Sequence, residues 1–127
     1  RIYDYNRRDD NGRLRELHTE WARDAIDYTV QADYRTHYTP HTNEPVELVS
    51  SPHFTTSLYD LTEDMHCDYS ELDTFIIYIC TKGAATLCDD AGGELAISQG
   101  ETVLIPACTR SVHIRPDGHV CLLESWC

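Results

Sequence analysis

Gly100-Glu101-Thr102-Val103-Leu104-Ile105-Pro106-Ala107 decides how this 127-residue chain folds. A glycine turns the chain, an apolar run extends it, and a proline six residues after the glycine ends the run. Proline has no N–H to give to a ladder, so it closes a strand rather than continuing one. The same grammar holds outward from this stretch. From Val46 onward, strand-like runs recur near 46–50, 54–61, 65–70, 74–81, 84–88, 94–98, 102–105, 111–115 and 119–125. Between them lie Thr81-Lys82-Gly83, Asp89-Asp90-Ala91-Gly92-Gly93, Ser98-Gln99-Gly100 and Pro116-Asp117-Gly118. These have the composition of hairpin turns, where glycine supplies positive φ. Phe75-Ile76-Ile77-Tyr78-Ile79-Cys80 is apolar on both faces, as in a strand covered on two sides. Short strands at regular spacing predict an all-β fold, an antiparallel barrel or jelly roll over 46–127.

Residues 1–45 follow another pattern. Ile2-Tyr3-Asp4-Tyr5 alternates like a strand, and Asp9-Asp10-Asn11-Gly12 has turn chemistry. Thr19 is placed to cap a helix near 19–30, with Trp21, Ala25, Ile26 and Val30 on one face. Residues 31–45 are polar and broken by Pro40 and Pro45. The expectation is a connector with one short α-helix, packed against the outside of the barrel.

Composition narrows the function. A net charge of −12 argues against a nucleic-acid partner, whose phosphates need a basic face. It also disfavours a site for anionic sugars built from this chain alone. No window approaches the roughly 18 apolar residues of a membrane span. Six cysteines (Cys67, Cys80, Cys88, Cys108, Cys121, Cys127) include no C-x-x-C pair, and at least two fall in expected strand interiors. With no signal peptide in view, packed thiols in a reduced cytoplasmic protein are expected. The chain opens on Arg1 with no Met, which suggests a piece of a longer polypeptide.

Gly100 to Ala107 resembles the second sequence motif of the cupin barrel. Metal-binding cupins, by that resemblance, take H-x-H and Glu from a first motif and His from the second, five residues after the proline. Here that position is Ser111, and His113 comes two residues later. The first-motif equivalent, Cys67-Asp68-Tyr69-Ser70-Glu71-Leu72-Asp73-Thr74-Phe75-Ile76, contains no histidine. The resemblance therefore implies a cupin barrel without its metal site. Cys67 and Glu71 read as a packed thiol and an exposed loop acid. Cys108 and His113 are the candidate ligands for a metal-dependent alternative. His37 and His41 are four residues apart, but Pro40 between them breaks the helix that would align them, and His53 completes only an improvised trio. There is no nucleophile elbow and no phosphate-binding glycine loop.

A more specific likeness runs from Arg1 to His18. Arg1-Ile2-Tyr3-Asp4-Tyr5-Asn6-Arg7-Arg8-Asp9-Asp10-Asn11-Gly12-Arg13-Leu14-Arg15-Glu16-Leu17-His18 resembles the R-x-Y-D-[YW]-[ND]-R-x-D-x-x-G-x-x-R-E-L-H stretch of bacterial class I phosphomannose isomerases. Tyr38-Thr39-Pro40 through Leu58-Tyr59-Asp60 is similar to the short, Bacteroides-like type, and Leu122-Leu123-Glu124 to the closing cupin. That resemblance implies a two-cupin enzyme interconverting mannose 6-phosphate and fructose 6-phosphate, with zinc in a first barrel upstream of this chain. It implies one catalytic residue here, Arg1, and structural roles for Arg7, Arg15, Glu16 and His18. It implies no cofactor in this piece, a missing N-terminal catalytic domain as partner, a phosphosugar substrate only in the full-length enzyme, and no activity in the piece alone. A barrel that covers a catalytic half would expose an apolar patch when isolated and self-associate. A stand-alone metal-free sugar-binding cupin is the alternative from another class. A polar cluster facing a cavity would mark it.

Overall fold

Seven strands follow one helix: α1 (Thr19–Ala25), β1 (Pro45–Ser50), β2 (Thr55–Leu61), β3 (Met65–Asp68), β4 (Ile76–Asp89), β5 (Glu94–Ser98), β6 (Thr102–Ile105) and β7 (Ser111–Trp126). The structure is a computed structural model that describes residues 1–127. Two compact units divide it, Arg1–Tyr34 and Arg35–Cys127.

In the second unit β4 and β7 pair antiparallel along most of their length and carry every strand but β1, which pairs with β2. The path runs β1-β2-β7-β4-β5, with β3 also on β7 and β6 also on β4. The first half of β4 meets β6 and the last half of β7. Its second half meets β5 and the first half of β7. The result is an antiparallel jelly roll whose two halves share both long strands. Alternation decides what faces inward: Ile76, Tyr78, Cys80, Ala85 and Leu87 of β4 and Val112, Ile114, Val120 and Leu122 of β7 are buried.

Two expected hairpin turns prove to be bends inside these strands. Lys82-Gly83 does not separate strands 74–81 and 84–88, and Pro116-Asp117-Gly118 does not separate 111–115 from 119–125. The ladder continues through both, with register slips between Cys80 and Lys82 and between Gly83 and Ala85. Gly83 sits at φ +75°, and a Cβ there would lie 2.0 Å from the His119 carbonyl oxygen. Its missing side chain lets β7 approach closely enough to bend with β4 instead of parting from it. The other two turns are as expected. Asp89 N–H donates to Gly93 O at 2.9 Å and Glu101 N–H to Ser98 O at 3.0 Å. β6 ends at Ile105, just before Pro106.

The first unit differs from expectation in two places. Ile2–Tyr5 forms no strand: Arg7 N–H donates to Asp4 O at 2.9 Å, and Tyr5 and Asn6 take left-handed φ of 50° and 54°. The helix stops at Ala25 rather than near residue 30, and His18 rather than Thr19 is its N-cap. Ile26, Thr29 and Val30 are β-branched and stiff against a helical turn. Asp27 also takes the Thr29 N–H at 2.9 Å, which offers the backbone an alternative to the helix. Trp21 and Val30 are exposed, and no residue of this unit is buried. No helix is long and apolar enough to cross a membrane.

Candidate functional site

Val120 and Leu122 face the interior of the jelly roll, so period-2 alternation brings Glu124 inside as well. Its residue is 4% exposed, the one buried charged residue in the core. Three tyrosines meet it. Tyr59 of β2 donates to Glu124 Oε2 at 3.2 Å, and Tyr78 of β4 donates to Oε1 at 3.3 Å. Tyr69, in the loop after β3, donates to Oε1 and accepts from the Tyr78 hydroxyl, whose single proton is shared between Tyr69 and Oε1. The Tyr59 and Tyr78 rings pack edge to face with centroids 6.4 Å apart.

The electrostatics follow from this enclosure. Burial raises the Glu124 carboxyl above the ordinary glutamate range, against the opposing pull of hydrogen bonds from Tyr69, Tyr59 and Tyr78. Burial first, then neighbouring negative charge, holds Tyr59, Tyr69 and Tyr78 well above the usual phenol range. Burial likewise raises the thiol of Cys67, which borders the cluster. The phenols act as donors and the carboxylate as their shared acceptor, so the polar groups satisfy one another. A surface cleft of about 280 Å³ lies beside β5 and β6, lined by Leu87, Leu95, Val103 and Pro106, and does not reach the cluster. Chemically the interior is a closed hydrogen-bond network rather than an open ligand pocket.

The residues singled out from sequence are dispersed. Cys67 is buried beside the tyrosines, and Glu71 is exposed. Cys108 lies in the exposed loop after β6, while His113 sits within β7, 3.2 Å from Asp64. His37, His41 and His53 are exposed and gather into no site, and His41 stands 3.9 Å from Glu44. Arg1 is exposed at the surface of the first unit. Its guanidinium donates to Glu16 O at 2.9 Å, and its carbonyl accepts from His18 N–H at 2.6 Å. Arg15 pairs with Asp4 at 3.4 Å. Arg1, Glu16, His18 and Arg15 thus fasten their own stretch together.

Sequence reasoning missed two groups. Glu124 and its tyrosines come from β2, the β3–β4 loop, β4 and β7, and the available signal was the inward register of position 124. The second group is Asp60, His119 and Cys121 on the opposite, outer side of β2 and β7.

Solved structures share this architecture. A cupin-2 domain protein from Shewanella frigidimarina superposes with a TM-score of 0.56 at 11% identity, over 68% of this chain and 82% of that one. A cupin 2 conserved barrel protein from Leptotrichia buccalis gives 0.57 at 21%, over 69% and 42%. The chain has a cupin fold. The mannose 6-phosphate isomerase of Bacillus subtilis gives 0.65 at 24% identity, covering 98% of this cupin chain. The chain spans only 39% of that enzyme's length. No protein-family model and no curated protein sequence matches the chain.

Proposed function

We propose that this cupin is the closing, non-catalytic barrel of a class I mannose-6-phosphate isomerase. The observation that carries the reading is the extent of the likeness. The Bacillus subtilis enzyme aligns over 98% of the chain, α1 and its flanks included, whereas the two cupin-2 proteins align over 68% and 69%. The Arg1–His18 motif supports the same reading residue by residue. The barrel interior, filled by phenols around Glu124, is in keeping with it.

In this reading the aldose–ketose exchange belongs to an upstream barrel of the same cytoplasmic polypeptide. Zinc bound there supplies Lewis-acid polarisation of the sugar oxygens. Arg1, at the junction, contributes a fixed positive charge toward the enediolate that forms as a proton moves between C1 and C2. The catalytic half is the partner of this chain, and the outer face of β2, β7 and β4 is suited to cover it: Leu58, Leu123 and Ile79 align across those strands.

The test is to express the complete reading frame that encodes this chain and the 127-residue chain by itself. The full product should convert mannose 6-phosphate to fructose 6-phosphate with zinc, and the chain alone should not. Turnover by the isolated chain, or a complete frame that starts at this chain, would overturn the reading.

A further inference from the structure

Asp60 of β2 and Cys121 of β7 are directly opposed partners in an antiparallel ladder. Their chain neighbours Tyr59, Leu61, Val120 and Leu122 are buried, so alternation sends Asp60 and Cys121 outward from the same face. His119 lies two residues before Cys121 and shares that face. Its Nε2 stands 2.5 Å from Asp60 Oδ1, while Cys121 Sγ is 3.7 Å from that oxygen and 3.8 Å from that nitrogen.

We propose that Asp60, His119 and Cys121 form a binding site for a divalent metal ion of the zinc class on the outer face of the barrel, with the fourth coordination position open to water. Tetrahedral zinc with bonds of about 2.0–2.3 Å places its ligand atoms roughly 3.3–3.6 Å apart. Both sulfur edges of the triangle are within a few tenths of an ångström of that value. The His119–Asp60 edge must open by about 0.8 Å, which a metal accomplishes by replacing their hydrogen bond. Thiolate, imidazole and carboxylate together select zinc, cobalt or a similar ion over magnesium or calcium, which prefer oxygen alone.

The scaffold holds these ligands firmly. All three sit on paired strands rather than loops. Thr81 Oγ1 donates to the Cys121 carbonyl at 3.1 Å, and Gly83 packs against the His119 carbonyl where no Cβ would fit. The side chains are also reachable, His119 being 36% and Asp60 35% exposed. Partial burial and then the Asp60 carboxylate raise the Cys121 thiol, with Lys82 opposite it pulling the other way, so the free site holds a thiol. When Sγ becomes a ligand its proton passes to solvent, so the ion's charge is met by thiolate and carboxylate. The site stands on the other side of the sheet from Glu124, two residues along β2 and β7 from Leu58 and Leu123, and is open to solvent in this chain.

Cobalt(II) titration of the reduced 127-residue chain tests this directly. A near-ultraviolet thiolate-to-cobalt band should appear stoichiometrically, be displaced by zinc and be indifferent to magnesium. Cys121→Ser should abolish the band, and His119→Ala should weaken binding by about tenfold or more. Cys108→Ser should leave it intact. Because a variant can fail to fold, zinc protection of Cys121 against alkylation in the unmodified chain gives a second readout by mass spectrometry. No band at stoichiometric cobalt, a band that survives Cys121→Ser, or Cys121 alkylating equally fast with and without zinc would overturn the proposal.

Discussion

Tyr78 on β4 and Glu124 on β7 are directly opposed in the ladder, and both point into the jelly roll, where the phenol donates to the carboxylate at 3.3 Å. Two more tyrosines share that carboxylate, so a single acid organises donors from β2, the β3–β4 loop and β4. A buried acid held this way ties strands that are far apart in sequence, at the cost of taking a charge out of water.

That cost gives a pH signature. Burial raises the folded-state pKa of Glu124, so the folded protein holds a proton that the unfolded chain has released. Stability from this group is then full below the ordinary glutamate range and falls as pH rises from there to the raised value. Glu124→Gln has no such proton. The unfolding free energy of the parent chain, relative to Glu124→Gln, should decline in urea titrations as pH rises above the ordinary glutamate range. The comparison also cancels Asp68 and Glu101, exposed acids whose hydrogen bonds to Ser70 and Ser98 lower their pKa and act in the opposite sense. A difference that stays flat or grows with pH would contradict the burial argument.

Gly83 and Gly92 separate the two reasons for glycine. Both have positive φ, +75° and +87°, but an added Cβ at Gly92 meets nothing within 4 Å, whereas at Gly83 it falls 2.0 Å from the His119 carbonyl oxygen. Gly92→Ala should therefore lose only the left-handed penalty of about 1–2 kcal/mol. Gly83→Ala adds a backbone clash and should lose about 3 kcal/mol or more, or fail to fold. Equal losses in urea unfolding would mean that β4 and β7 relax apart freely at the bend.

The same glycine shows where sequence reading runs out. Gly100 and Pro106 bracket β6 with local chemistry, so that strand was legible, as were β5 and the turns on either side of it. Gly83 and Gly118 have the composition of a hairpin turn, yet each sits within a continuous strand, and at Gly83 the deciding contact is with a carbonyl 36 residues away. Helix α1 was legible at its start, but Asp27 stopping it through Thr29 was not. Glu124 had a signal, its place in the inward register after Val120 and Leu122. A charged residue reads as exposed until Tyr59 and Tyr69, 65 and 55 residues distant, are known to meet it. Asp60 and Cys121, separated by 61 residues, become neighbours only once β2 and β7 pair.

The six free cysteines should react in the order their environments dictate. The thiolate is the nucleophile, and burial disfavours it as well as blocking the reagent. Cys108 and Cys127 are exposed, whereas Cys67 and Cys80 are buried with thiols raised by that burial. Timed iodoacetamide labelling with peptide mass spectrometry should modify Cys108 and Cys127 first, and Cys67 and Cys80 only on unfolding. Native labelling of Cys67 at the rate of Cys108 would show that the cluster around Glu124 opens to solvent.

The outer face of the sheet gives the last prediction, which rests on the proposed role as a covering barrel. Leu58, Leu123 and Ile79 stand in one cross-strand row, and Leu104 pairs with Ile77 in the next. Ile79 is 37% and Leu104 56% exposed, so apolar surface lies open where β4 and β6 meet. Water disfavours such a face, and two copies can shield it from each other. The isolated chain should therefore self-associate as its concentration rises in light scattering, despite a net charge of −12 that opposes association. Leu104→Lys places a charge on the patch at a solvated position, so it should shift the chain toward monomer with a stability change within about 0.5 kcal/mol. A parent chain that is monomeric at every concentration would remove this face as the covering surface. Self-association unchanged by Leu104→Lys would move the contact elsewhere, with the exposed Trp21 and Val30 of the first unit the next to be tested.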